Sequence, residues 1–128
     1  MKALLDTMAF LWWITDDPRL PQSARRVIGD SRNAIFFSSA SAWEIAIKAG
    51  LGKLKAKPAL AQWISAHVRK NNFVSLPITV RHAAGVYKLP AIHRDPFDRI
   101  LVVQSQMEHC RIISNDPEIM KYSVRVVW

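Results

Sequence analysis

The sequence predicts an α/β protein: a central parallel sheet with helices on both faces. Three observations predict it. Short apolar, β-branched or aromatic runs alternate with stretches of helical spacing along most of the chain. Those runs are continuously apolar rather than alternating, as strands buried on two faces are. No repeat, low-complexity tract or linker breaks the order, so the 128 residues are expected to form one domain, residues 1–128.

The elements follow in order. "KALLD" opens with a short apolar run, and Ala3–Leu5 reads as a buried strand that ends on Asp6. "TMAFLWWI" is a helical patch. "DDPRLP" is a turn cluster, and Pro21 opens the helix "QSARRVIGD". "AIFFSS", residues 34–39, is an aromatic and β-branched strand. "SAWEIAIKAG" places Trp43, Ile47 and Leu51 four apart, a helical spacing ended by Gly50 and Gly52, and "KLKAK" is a basic loop. Pro58 starts the helix "PALAQWISAHVRKN", whose Leu60, Trp63, Ile64 and Val68 share a stripe. "FVSLPI" is a strand and "TVRHAAGVYKL" a helix capped by Thr79. "DPFDRILVVQSQMEH" is a helix with Asp95 as cap and Pro96 at its first position. "CRIIS" is a strand, "NDPEIMKY" a helical turn, and "VRVVW" the last strand.

Composition bounds the function. Half of the residues are hydrophobic and 22% are charged, which excludes a disordered chain. Eighteen Lys and Arg against ten Asp and Glu leave a formal net charge of +8, a surface that attracts polyanions. The single cysteine, Cys110, allows no internal disulfide; it reads as a small buried hydrophobe, and a reduced cytoplasmic setting is expected. The apolar run "MAFLWWI" falls far short of the ~20 residues that a membrane span needs, and Asp6 interrupts any signal-peptide pattern.

Against that basic background the acids are informative. Asp6 ends the first strand, Glu44 follows the second, and Asp116 follows the strand "RIIS". Asp98 stands in the first turn of the helix that leads back to the sheet. In an open parallel sheet the carboxyl ends of the strands share one edge, where ligands bind. Four acids scattered along the chain can thus converge. Each also has an ordinary structural reading. "SAWE" matches a capping box of Ser41 with Glu44, "DPFD" resembles one of Asp95 with Asp98, and Asp116 before Pro117 is a common helix cap. Asp6 is harder to explain so, because a carboxylate between "LL" and "TMAF" is costly without compensation. Taken together, carboxylates in one crevice repel one another, and a divalent cation removes the conflict. Carboxylate ligation without a Cys or His cluster suits Mg²⁺ or Mn²⁺. A basic protein with such a crevice has nucleic acid as its natural substrate.

At this point four stretches, "LLDTMAFLWW", "SAWEIAIKAGLGKL", "LPAIHRDPFDRILVVQSQ" and "IISNDPEI", together resemble PIN-domain proteins, and most closely the VapC-type toxins of bacterial toxin–antitoxin pairs. The likeness covers nearly the whole chain in the right order. It implies a three-layer α/β/α sandwich on a central parallel sheet and Mg²⁺- or Mn²⁺-dependent endoribonuclease activity. The family's catalytic metal acids fall on Asp6, Glu44, Asp98 and Asp116. Thr7 and Ser114 match the polar positions beside the first and last acids, and Asn115 adjoins the last. Relatives often carry histidine after "LDT", where this chain has Met8; the change removes no metal ligand. The resemblance further implies a cognate antitoxin partner and a toxin homodimer.

The remaining expectations concern support and substrate. Asp95 caps the helix of Asp98. Arg94 and Arg99 contact RNA phosphate or neutralise the acids, or Arg99 pairs on a helix surface. Lys48, Lys53, Lys55 and Lys57 form the densest basic patch and read as a phosphate track or a solvated loop. His93 is the histidine next to the acids, but metal chemistry does not require it as a general acid. His67, His82 and His109 fall on helices without evident partners, and Trp12, Trp13, Trp43 and Trp63 read as core or interface. The alternative function is a non-catalytic RNA-binding module of the same fold, which would show no Mg²⁺ dependence. A phosphotransfer domain is a weaker rival, since the first strand lacks a "DxD" pair.

Overall fold

A computed structural model of the chain describes residues 1–55 and 57–128; Ala56, within the expected basic loop, lies outside the described residues. Five strands, β1 (Lys2–Leu5), β2 (Ala34–Ser38), β3 (Val74–Leu76), β4 (Arg111–Ile113) and β5 (Val126–Val127), form one sheet in the order β3-β2-β1-β4-β5. All four pairings are parallel. The helices are α1 (Thr7–Ile14), α2 (Gln22–Gly29), α3 (Ser39–Gly50), α4 (Leu60–Lys70), α5 (Val80–Gly85) and α6 (Pro96–Glu108).

Period-2 geometry sorts the strand side chains onto two faces. Ala3, Leu5, Ile35, Phe37 and Ile113 pack with Phe10 and Trp12 of α1, Ala24 and Ile28 of α2, and Ile64 and Val68 of α4. Leu4 and Ile112 face the other way, onto Ile100, Leu101, Val102 and Val103 of α6. The helices therefore form two outer layers, and the expected three-layer sandwich is present. β1 sits in the middle of the sheet and is the most buried strand: Ala3, Leu4 and Leu5 are fully buried.

Local chemistry departs from the expectations at several ends. Ser41 and Glu44 make no capping box. Helix α3 begins earlier, with Ser38 as its cap accepting from the Ala40 amide at 3.0 Å, and Ser41 lies buried inside the helix. Helix α4 begins at Leu60, two residues beyond Pro58, and "NDPEIMKY" holds a single 3-10 turn, Ile119–Lys121. Asp95 and Pro96 open α6 as expected, with Asp95 Oδ1 accepting from the amides of Phe97 (2.8 Å) and Asp98 (3.4 Å). His82 has partners after all. It forms a capping box with Thr79, and its Nε2 lies 3.4 Å from Glu108 Oε2. Trp12 is core, whereas Trp43 is 60% exposed and meets Phe97 edge-on at 5.2 Å.

One buried polar network ties the layers together. Ser38 Oγ donates to Gln104 Oε1 at 2.6 Å, and Gln104 Nε2 donates to the Pro77 carbonyl at 3.3 Å. Ser38 and Gln104 are both fully buried, so neither can turn to water for a substitute partner. This bond links the β2–α3 junction to the middle of α6. Replacing Gln104 by Leu keeps the bulk and strands the Ser38 hydroxyl and the Pro77 carbonyl. We expect Gln104→Leu to cost ~1–3 kcal/mol in urea denaturation, with the slope unchanged.

Candidate functional site

The strand order reverses at β1, which lies between β2 and β4, so the crevice between the carboxyl ends of β1 and β4 is the switch point of the sheet. Asp6 leaves β1 there. Its amide donates to the Ile113 carbonyl of β4 at 3.1 Å, and its Oδ1 accepts from the Ala9 amide at 2.7 Å, capping α1. Asp116 leaves β4 two residues after the buried Ser114, whose Oγ accepts from the Asp116 amide at 3.0 Å. Asp116 Oδ1 accepts from the Glu118 amide at 2.8 Å, closing a turn rather than capping an α-helix. Asp98 arrives from α6 and Glu44 from α3. A cleft of about 360 Å³ is lined by Asp6, Thr7, Glu44, Asp98 and Asp116 among others. The four predicted acids thus come from four separate segments to one place, together with Asp95, Asn115 and Lys48.

Glu44 is almost fully buried and both of its oxygens are engaged. Oε1 accepts from the Thr7 hydroxyl at 2.5 Å, and Oε2 lies 2.6 Å from Lys48 Nζ. Thr7 Oγ1 is also 3.0 Å from Ser41 Oγ. With its one proton given to Glu44, Thr7 accepts from Ser41, so Ser41 and Thr7 form a relay that orients the carboxylate.

The carboxylates are uncomfortable as a group. Burial pushes the Asp6 carboxyl up to about 6; hydrogen bonds from Ser114 and the Ala9 amide oppose this, and the charges of Asp116 and Glu44 add to it. Asp98 is pushed up to about 7, first by burial and then by the Asp95 charge, with His93 working the other way. The Lys48 ammonium is held above its ordinary value chiefly by its bond to Glu44.

His93 sits among the acids, closer than its place in the sequence indicates. Its Nε2 lies 2.7 Å from Asp116 Oδ2 and 3.2 Å from Asp98 Oδ2. The Asp95 amide donates to Nδ1 at 3.0 Å, so in the neutral ring the proton sits on Nε2 and points at the acids. Burial disfavours the imidazolium, but the hydrogen bond to Asp116 and the neighbouring carboxylates outweigh it and raise the imidazole above its ordinary value. The available signal was the position of His93 two residues before a helix cap, where the chain folds back over the cap.

Other predicted residues are placed differently. Arg99 points away from the acids: Nη1 donates to Pro90 O (2.9 Å), His93 O (3.4 Å) and Tyr122 Oη (3.2 Å), and Nη2 to Val86 O and Leu89 O. It pins the loop that carries His93 instead of pairing on a helix surface. Arg94 is exposed, and Lys53 and Lys55 are exposed outside the cleft. Lys57 Nζ lies over the Trp63 ring at 5.4 Å. Of the four lysines in the expected track, Lys48 lines the cleft.

The donor chemistry fits a hard divalent ion. Asp98 and Asp116 bring carboxylate oxygens together, with His93 Nε2 holding both, and Asp6 lines the same cleft. Carboxylate oxygens suit Mg²⁺ or Mn²⁺, and a cation would offset the burial and repulsion that raise Asp6 and Asp98.

The site and the sheet define a class. A model of the PIN domain matches residues 3–124, and the chain belongs to the PIN domain family. The chain is 40% identical over 70 residues to Ribonuclease VapC16 of Mycobacterium tuberculosis (strain ATCC 25618 / H37Rv), which is 52% of this chain and 48% of that protein. The chain thus spans about half the length of that relative. Two solved structures share the fold. One is VapBC2 from Rickettsia felis bound to a DNA fragment from their promoter, with a TM-score of 0.71 at 14% identity over 98% of this chain and 97% of that one. The other is FitAB bound to an IR36 DNA fragment, with a TM-score of 0.61 at 17% identity over 97% of this chain and 92% of that one.

The raised carboxyls have a consequence for stability. Asp6 and Asp98 hold their protons to higher pH in the folded chain than at the ordinary value of 3.8. Their contribution to stability is full below that value and is lost as pH rises through about 6 and about 7. Chelator-treated protein should therefore lose stability progressively from about pH 4 to about pH 7 in urea denaturation at fixed ionic strength, and Asp98→Asn should be more stable than wild type at the upper end.

Proposed function

We propose that the chain is a divalent-metal-dependent endoribonuclease and the toxin of a toxin–antitoxin pair. The observation that carries the reading is the convergence of Asp6, Glu44, Asp98 and Asp116 from four segments at the switch point of the sheet. The half-length match to a ribonuclease supports it.

Asp6, Asp98 and Asp116 hold Mg²⁺ or Mn²⁺. Glu44, fixed by Thr7 and Lys48, borders the cleft and keeps its charge close to the ion. When bound, the ion supplies Lewis acidity toward the scissile phosphodiester and the attacking water. His93, with its proton on Nε2, orients Asp116 and Asp98. Ser114 and Asn115 shape the turn that presents Asp116, and Asp95 sets the start of the helix that presents Asp98. The exposed Arg94, Lys53 and Lys55 belong to the positive surface that holds the RNA backbone.

The antitoxin is the protein partner, and a homodimer is the toxin's own assembly. The VapBC2 and FitAB structures that share the fold, and the surface of α3, support a partner. Trp43 and Ile47 are exposed on that helix, beside Glu44 and Lys48 of the cleft, and Leu51 is exposed at its C-terminal cap, four residues further on. The reading places the protein in the cytoplasm.

Purified protein should cleave RNA with Mg²⁺ or Mn²⁺ and stop on chelation, and sequencing of RNA ends should find discrete cuts. Asp6→Asn and Asp98→Asn should each lower the rate by at least about 100-fold while remaining folded by circular dichroism. Full activity in either purified variant would sink the assignment. His93 should stay outside the ion's coordination sphere: Mn²⁺ bound to wild type should give no ¹⁴N hyperfine coupling, and His93→Gln, which keeps an N–H donor, should retain more activity than His93→Ala.

A further inference from the structure

The two halves of the cleft differ in what they leave available. On one side, Asp98 and Asp116 bring oxygens together with Nε2 of His93 within 4.8 Å. On the other, each Glu44 oxygen already has a partner, Thr7 on Oε1 at 2.5 Å and the Lys48 ammonium on Oε2 at 2.6 Å. Lys48 stands one turn beyond Glu44 on α3, so the helix itself brings the ammonium to the carboxylate. The Glu44 side chain is only 6% exposed and that of Lys48 is 38% exposed. The pair is thus anchored inside and open outside.

Two-ion hydrolytic sites hold their cations about 3.5–4 Å apart, one near the attacking oxygen and one near the leaving oxygen. A second ion would need acidic oxygens on the Glu44 side. Moving Lys48 away to supply them would leave a buried carboxylate without its charged partner until the ion arrived. An ammonium has three donors. One is used on Glu44, and two remain to face the open cleft.

We propose that the cleft takes one divalent ion and that the Lys48 ammonium stands in for the second, contacting the substrate phosphate on the Glu44 side. The inference rests on the nuclease reading above and deepens it. Lys48 is then a catalytic residue with two opposed effects. It repels the divalent ion, and it stabilises the charge that builds on the phosphate.

That opposition supplies the test. Mn²⁺ is titrated into purified wild type, Lys48→Met and Lys48→Arg and followed by electron paramagnetic resonance, with and without a short phosphorylated RNA oligonucleotide. RNA cleavage is measured in parallel. Wild type should bind one Mn²⁺ per chain in both conditions. Lys48→Met should bind Mn²⁺ about tenfold more tightly, the size of the repulsion between an ammonium and a divalent cation several ångströms apart in a water-like dielectric. The same variant should cleave about a hundredfold more slowly. Lys48→Arg should recover part of the rate. A lysine that merely held Glu44 in place would lose ion affinity and activity together. Two Mn²⁺ per wild-type chain, or unchanged or weaker Mn²⁺ binding in Lys48→Met, overturns the inference. If wild type cleaves RNA while binding two ions, this inference alone fails. If wild type cleaves no RNA with any divalent ion, the nuclease reading fails as well.

Discussion

The site depends on the pairing of β1 with β4. These strands are neighbours in the sheet although most of the chain separates them, and the Asp6 amide extends their ladder by one bond to the Ile113 carbonyl at 3.1 Å. That bond fixes where β1 stops and α1 starts. It also fixes the separation of the two turns that carry Asp6 and Asp116. Three fully buried residues of β1 precede Asp6, so the acid cannot slide along the strand without moving the core. The carboxylate is placed by apolar packing and held against its own desolvation.

The other two acids are set by helices whose positions are fixed from below. Ser38 caps α3 and donates to Gln104 in the middle of α6. Glu44 and Asp98 therefore ride on elements joined by one buried hydrogen bond. The Thr7 relay then ties Glu44 to the start of α1, right after Asp6. Buried polar groups are expensive unless paired, and these pairings use that expense to exclude other arrangements. What remains is carboxyl crowding, at Asp6 and Asp98, and it is concentrated where a cation would be received.

The architecture and the four acids were legible because both follow from short-range pattern. Continuous apolar runs marked buried parallel strands, and "DPFD" marked a helix start that was realised with Asp95 as cap. "SAWE" misled for an instructive reason. A Ser–x–x–Glu spacing carries no record of what surrounds it. Ser38 took the cap, and Ser41 and Glu44 found tertiary partners in Thr7 and Lys48. The roles of His93, Arg99 and Lys48 depend on such partners too. His93 needed a loop folded back onto Asp116, and Arg99 needed carbonyls from Val86 to His93. No spacing rule within a single segment encodes those contacts, and basic residues near acids read alike until the chain is folded.

Adjacent side chains in "DPFDR" work on opposite tasks. Asp98 turns into the cleft, while Arg99 turns away to gather the carbonyls of the preceding loop, with Tyr122 completing its shell. Successive residues on a helix point about 100° apart. Deleting one residue between Pro96 and Asp98 would therefore put the arginine where Asp98 faces the acids, and inserting one there would put the aspartate where Arg99 gathers its ring of carbonyl oxygens. The segment is thus less tolerant of a change in length than of a change of side chain at most of its positions.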